Sequence, residues 1–348
     1  MKALVLEGKE KFVYKDVEMP KCPKDGLLLK VDSVGLCGSD VRTYFHGHHH
    51  VTYPCILGHE NAGTIVEVGS EVEGFEKGEK IIVNPVLPCG KCWYCQKGWQ
   101  HLCSDRLTYG HQIQGGFADY MVVPGIGLER GQVIKIPDGV STDDIVIVEL
   151  LSSVINSQEF ADVTLGETVA IFGAGPIGCL HSEIAKLRGA KKIIMIDINE
   201  NRLELSKKFS GTDFINSKET NLQEEVMKLT EGFGVDVVIS ATPSVETQAQ
   251  GIDLLRKRGR LVLFGGVSAE NPYTTLDSNK IHYNELSVLG SFAYGPNNFK
   301  KAFDIVAGKM INVDGFVTHV LPLKDAVKGI EEIKSGRALK VVLKPGME

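Results

Sequence analysis

ETVAIFGAGPIG, residues 167–178, is the stretch whose reading decides the fold. ETVAIFG is an apolar run of strand length, and IGCLHSEIAKLRGA after it has the periodicity of an amphipathic helix that ends at Gly189. Gly173, Gly175 and Gly178 therefore fit G-x-G-x-x-G at a strand-to-helix junction, the context in which the pattern means dinucleotide binding. Gly173 permits the tight turn, Gly175 lets a pyrophosphate approach the backbone, and Gly178 lets helix and strand pack closely. Pro176 and Ile177 open the helix, whose free N–H groups and dipole favour phosphate. Asp197 closes the next strand, KKIIMIDI, 19 residues beyond Gly178. Its carboxylate suits the two adenosine ribose hydroxyls and repels a 2′-phosphate, so NAD is expected over NADP. Arg202, one turn into the helix ENRLELSKKFSG, is expected to stack on adenine. Phe264, Gly265 and Gly266 at the end of RLVLFGG, with Ser291 and Phe292 in SVLGSF, complete the expected nucleotide contacts.

Outward from this stretch the alternation continues through VDVVIS (235–240) and RLVLFGG (260–266). Strands alternating with helices imply right-handed crossovers and a parallel sheet covered on both faces. Before residue 150 the pattern is different. LLLKVDSVG, AGTIVEVGS, GEKIIVNPV and GFADYMVVP are short strands punctuated by glycine, as in an antiparallel, barrel-like domain. After residue 292 come two amphipathic helices, FKKAFDIVAGK and LKDAVKGIEEIKSG, and a closing strand, ALKVVLK. A chain of 348 residues is long enough for two domains.

The formal charge of −6 gives no electrostatic reason to expect nucleic acid or an anionic membrane as a partner. The opening MKALVLEGKEKF is too short in apolar residues for a signal-peptide core, and no stretch reaches a membrane span of about 20. A cytoplasmic location is expected. Disulfides are rare there, so the eight cysteines need another reading.

Four of them, Cys89, Cys92, Cys95 and Cys103, fall within fifteen residues. Thiolates at this spacing wrap one tetrahedral ion, and an all-sulfur site suits zinc. An iron–sulfur run would place its fourth cysteine after three residues and follow it with proline. Four thiolates close the coordination shell, so this zinc is expected to be structural. Upstream, Cys37 in GLCGSD stands 22 residues before His59 in GHE. Cys37, His59 and Glu60 are a thiolate, an imidazole and a carboxylate that leave a position open, as a catalytic zinc requires. Neighbours on an extended strand face opposite ways, so His59 and Glu60 share one ion only if Gly58 turns the backbone. Otherwise Glu60 orients the site without ligating.

These motifs, with VGSEVEGFEKGEK, GGFADY and LKVVLKP, resemble the zinc-containing medium-chain dehydrogenases from end to end, and most of all their sorbitol, galactitol-phosphate and threonine dehydrogenase branch. The resemblance implies an α/β chain of two domains. One is a GroES-like β-barrel catalytic domain, 1–153 with 293–348, and the other a Rossmann doubly wound parallel sheet, 154–292, inserted between its halves. It implies two zinc ions per chain, with Glu149 as fourth ligand of the catalytic one or partner of its bound water. Ser39 would relay the alcohol's proton, and the chain would form a homodimer or homotetramer. Hydride transfer between NAD and a secondary alcohol, a polyol or polyol phosphate, is the implied reaction.

The chain departs from that pattern where substrate is chosen. Leu150 replaces the proline usual after Glu149, Asn156 a histidine of many relatives, and Ala293 the arginine of sorbitol dehydrogenases; Thr43 and Tyr44 also differ. The run His46-Gly47-His48-His49-His50 is expected on the rim of the active site rather than around a further metal. Lys300, Lys301 and Lys309 are a possible phosphate anchor but read more simply as a solvated face, and Cys22, Cys55 and Cys179 as buried small residues. The alternatives are an L-threonine 3-dehydrogenase, for which no carboxylate-binding group stands out, and a zinc-free reductase or redox-sensing nucleotide-binding protein, against which the three ligands argue.

Overall fold

The computed structural model describes residues 1–348, which form two compact units: 1–149 with 294–309 and 313–348, and 150–293 with 310–312. Residues 150–153 and 293, placed by sequence with the first part, cluster with the second; the helix Val148–Phe160 crosses the boundary unbroken.

The second unit holds six parallel strands in the order Asp213–Asn216, Lys192–Asp197, Thr168–Phe172, Val235–Ser240, Leu255–Leu263, Ser287–Gly290. Counted along the chain this is 3-2-1-4-5-6, so the strand order reverses beside Thr168–Phe172, and ligands bind outside the carboxyl ends of strands at such a point. Thr168–Phe172 is buried along its whole length. Val169 and Ile171 pack in a cluster with Ala185 and Val237, and Ala170 and Phe172 in a second with Val238 and Leu261. Alternate residues thus feed two cores, which is why the strand reads as continuously apolar.

Gly173 ends this strand at φ +103°, in the left-handed region. The following helix is Pro176–Leu187, and a Cβ on Gly178 would lie 1.7 Å from the Gly173 carbonyl oxygen. A Cβ on Gly175 would meet nothing within 4 Å, so that backbone stays open to a phosphate. The next helix, expected to run to Gly211, stops at Ser206. There the Ser206 hydroxyl donates to the Leu203 carbonyl. The last strand ends at Gly290.

The first unit is built on Leu27–Leu36, which pairs antiparallel with Glu60–Val68, Tyr120–Val123 and Lys340–Lys344. Lys80–Val83 and Val133–Lys135 extend one side of this sheet, and Val317–Pro322, parallel to the last strand, the other. A second sheet of Lys11–Asp16, Lys2–Gly8 and Cys55–Ile56 packs into the same core through Leu4, Leu6 and Ile56. Gly35 is the position to follow, because it faces Glu60 on one neighbour and Val342 on the other. No helix is long and apolar enough to cross a membrane.

The contact at Gly178 is with backbone and cannot be relieved by turning a side chain. Gly178→Ala is expected to destabilise the second unit by roughly 1–3 kcal/mol and to weaken NADH binding. A melting curve and an NADH fluorescence titration matching the unsubstituted protein would contradict this.

Candidate active site

Cys37 caps the helix Gly38–His46 at the end of Leu27–Leu36. The cap is held by Asp40, whose Oδ2 accepts the Cys37 N–H at 2.9 Å. The other oxygen of Asp40 lies 3.4 Å from His59 Nδ1, and both side chains are buried. Asp40 thus orients the imidazole and leaves Nε2 as the nitrogen available to a metal, the usual task of a carboxylate behind a metal-binding histidine. Ser39 Oγ stands 3.4 Å from that same Nε2. Gly58 has φ +92°, and a Cβ there would meet Phe117 Cδ1 at 2.5 Å. This turn is the one the sequence required, and it lets His59 and Glu60 face the same way. The ligand atoms of Cys37, His59 and Glu60 all lie within 4.8 Å of one another.

Glu60 and Lys340 are each 1% exposed and form an ion pair, and Lys340 Nζ also donates to the Leu36 carbonyl at 3.3 Å. Room for the pair comes from Gly35, since a Cβ there would overlap Glu60 Oε2 and crowd Lys340 Cε. The other carboxylate oxygen, Oε1, is buried with no hydrogen-bond partner. A buried carboxylate oxygen left bare is costly, and a cation shared with Cys37 and His59 would satisfy it. The donor set therefore fits zinc with one position open.

Glu149 lies outside that three-residue group, beside it rather than among its converging ligand atoms. Its Oε1 accepts from the Tyr294 hydroxyl at 3.1 Å, leaving it as a neighbour of the site. Burial pushes the Glu149 carboxyl up; His59 opposes the shift and Glu60 adds to it. His111 lies beside the ligand histidine, ring centres 6.3 Å apart, and burial pushes its imidazole down to about 4.

In the cysteine lobe, Sγ–Sγ separations are 3.5 Å for Cys92–Cys95 and 4.0 Å for Cys89–Cys95, and all four sulfurs, with Cys103, lie within 4.8 Å. Zinc–sulfur bonds of about 2.3 Å set tetrahedral edges near 3.8 Å, so the lobe fits one ion with no position left open. Backbone N–H groups of Lys91 and Cys92 point at Cys89 and pull its thiol down to about 6, towards the thiolate that ligates. Of the other cysteines, Cys55 and Cys179 are buried as expected, whereas Cys22 is only half-buried.

In the second unit a cavity of about 680 Å³ lies at the carboxyl ends of the strands, lined by Gly173, Ile196, Asp197, Arg202 and Thr242 among others. Asp197 has a second duty that the sequence did not reveal. Its Oδ2 accepts the Ala174 N–H at 2.8 Å, and its Oδ1 accepts those of Ile198 and Asn199 at 2.7 and 2.9 Å. Two of the departing positions touch: Asn156 Nδ2 donates to the Ala293 carbonyl at 3.0 Å, and Ala293 sits at φ +49°.

Residues 23–138 match the family model of the alcohol dehydrogenase GroES-like domain, and residues 176–308 that of zinc-binding dehydrogenases. Sorbitol dehydrogenase of Halalkalibacterium halodurans is 35% identical, with 99% of each chain covered. The chain belongs to the zinc-dependent medium-chain dehydrogenases. Among solved structures of these dehydrogenases, a zinc-binding dehydrogenase of Sinorhizobium meliloti bound to NADP superposes with a TM-score of 0.92 at 30% identity, covering 99% of both chains. Galactitol-1-phosphate dehydrogenase of Escherichia coli gives 0.89 at 27%, covering 99% of this chain and all of that one.

Asp40, Tyr294 and Lys340 are the site residues that sequence reading missed. Asp40 had a signal, an acid three residues after the residue that caps a helix. Lys340 and Tyr294 had none, because only folding brings them to the site.

Removing one partner of a buried ion pair costs about 3–5 kcal/mol. Lys340→Ala is expected to lower the melting temperature of the zinc-loaded protein by several degrees, and Lys340→Arg to restore part of the loss. An unchanged melting curve for Lys340→Ala would show that Glu60 does not depend on this lysine.

Proposed function

We propose that this dehydrogenase transfers a hydride between NAD and a secondary alcohol of a polyol or polyol phosphate, giving the ketone. The observation that carries the reading is the convergence of Cys37, His59 and Glu60 beside the Ser39 hydroxyl. Likeness to a sorbitol dehydrogenase and a galactitol-1-phosphate dehydrogenase supports the substrate class.

In this reading Cys37, His59 and Glu60 hold the catalytic zinc, Asp40 fixes the imidazole, and Lys340 balances the carboxylate. Bound zinc would supply Lewis-acid polarisation of the substrate hydroxyl, and bound NAD the hydride acceptor. Ser39 takes the hydroxyl proton and passes it outward. Glu149, steadied by Tyr294, orients the substrate hydroxyl or the water it displaces. Cys89, Cys92, Cys95 and Cys103 hold the structural zinc.

The nucleotide rests on Gly173, Gly175, Pro176, Ile177 and Gly178, with Arg202 over the adenine and Phe264, Gly265, Gly266, Ser291 and Phe292 along the rest of it. Asp197 favours NAD, because a 2′-phosphate beside its carboxylate would be repelled. A cytoplasmic location and a homodimer or homotetramer belong to the same reading and rest on the resemblance.

The test is NADH formation by zinc-loaded enzyme across sugar alcohols, their phosphates, inositols, threonine and simple secondary alcohols. A polyol or its phosphate should lead the panel. Threonine as best substrate, or silence with two zincs verified, would overturn the substrate class. Ser39→Ala should lower kcat by about 10²-fold and Ser39→Thr restore most of it; an unimpaired Ser39→Ala would remove the relay.

Asp197→Ala should cut kcat/KM for NAD by roughly 10–100-fold, the loss of hydrogen bonds to a charged acceptor, and raise the NADP-to-NAD ratio. Its melting temperature should fall as well, because three backbone N–H groups lose their acceptor. An unaltered cofactor ratio would take cofactor choice away from this residue.

A further inference from the structure

The histidine run ends up in the first unit as part of a row of rings that starts at the catalytic ligand. From His59 the nearest ring is His111, at 6.3 Å; His48 stacks on His111 at 4.3 Å. His49 and His50 follow, 4.5 and 5.5 Å from His48 and 4.0 Å from each other. Exposure rises along the row: His59 is buried, His111 and His48 are half-buried, and His49 and His50 lie at the surface. Two guanidiniums bear on its charge. Arg42, on the helix that Cys37 caps, acts on His48, and Arg106 acts on His50. Arg106 Nη1 donates to the carbonyl of Cys103, so the cysteine lobe helps to fix this cation.

The groups that act on His48 and His50 are all imidazoles or guanidiniums. Asp40 reaches His111, but its own oxygens are committed to Cys37 and His59. Burial and this crowding of like charge hold the His48 and His50 imidazoles below their ordinary pKa. A hydroxyl-rich substrate would need no such meeting of two guanidiniums with a row of imidazole N–H donors. A dianion does, because it pairs with guanidinium forks and accepts imidazole N–H bonds. A metal cation is served less well, since Arg42 and Arg106 repel it.

We infer that His111, His48, His49 and His50, with Arg42 and Arg106, form the subsite for a phosphate group on the substrate, so that the enzyme serves phosphorylated rather than free polyols. This rests on the polyol reading above and narrows it. The row begins at the ligand histidine and is two rings deep by His48, the scale of a phosphate a few bonds from the reacting carbon. The lysine face is the weaker anchor, because Lys300 is already paired with Asp304.

The experiment compares kcat/KM for polyol phosphates and their parent polyols in the zinc-loaded enzyme, with Arg42→Gln and His48→Asn alongside. The phosphate should be preferred by at least about 10²-fold, the scale of two charge-assisted bonds. Each variant should shrink that ratio about tenfold, mainly through KM, and inorganic phosphate should compete with the phosphorylated substrate. Equal use of the parent polyol, or a ratio the variants leave alone, overturns the inference while the polyol reading stands. If no polyol of either kind turns over, that reading falls, and calorimetric titration with inorganic phosphate decides the subsite. Binding lost in Arg42→Gln supports it, and no binding overturns it. A separate zinc titration completes the set: a third zinc per chain lost in His48→Asn, without phosphate binding, would make the row a cation site instead.

Discussion

A carboxylate taken almost completely out of water governs the first unit. Glu60 lies beside the Cys37 thiol and near Glu149, where a further negative charge is poorly tolerated without cations on more than one side. Lys340 provides one from behind, and the donor geometry leaves a place for a divalent ion in front. Neither group could stand there unless the strand between them lacked a side chain, which is the service Gly35 performs. The sheet follows from the same need. Leu27–Leu36 is its hub because it must bring a neighbour carrying the acid and another carrying the base against a single bare position.

The parts of this protein that repeat a local rule were legible in the sequence. The parallel sheet of the second unit follows from the alternation of strands and helices, and the nucleotide turn from three glycines whose tasks recur at Gly173, Gly175 and Gly178. The cysteine lobe was legible because its ligands are close in sequence. The turn at Gly58 was legible too, since two adjacent side chains cannot otherwise share an ion. What stayed hidden depends on long-range pairing. Nothing in ALKVVLK marks its first lysine as the base beneath Glu60, and Tyr294 meets Glu149 across 145 residues of chain. The helix that begins at Glu200 was read a few residues too long, since it stops at Ser206.

Asp40 and Asp197 show how sparingly the chain uses its acids. Each carboxylate holds backbone in place and faces the chemistry as well. Asp40 caps the helix at Cys37 while it sets the His59 ring, and Asp197 ties the nucleotide turn to the end of the next strand while it faces the cavity. Fold and site are therefore not separable at these positions. The same economy holds for the cysteine lobe, whose Cys103 carbonyl steadies Arg106 close to the histidine row.

The partnership of Glu60 with Lys340 also carries a schedule. A ribosome makes Cys37, His59 and Glu60 before the second unit, and the strand Lys340–Lys344 only after it. The whole of the second unit is synthesised in between, and its six parallel strands need nothing from residue 340 onward. The nascent chain can thus complete its nucleotide fold while the metal centre is still missing its counter-charge. Competence for chemistry then waits on translation past residue 340.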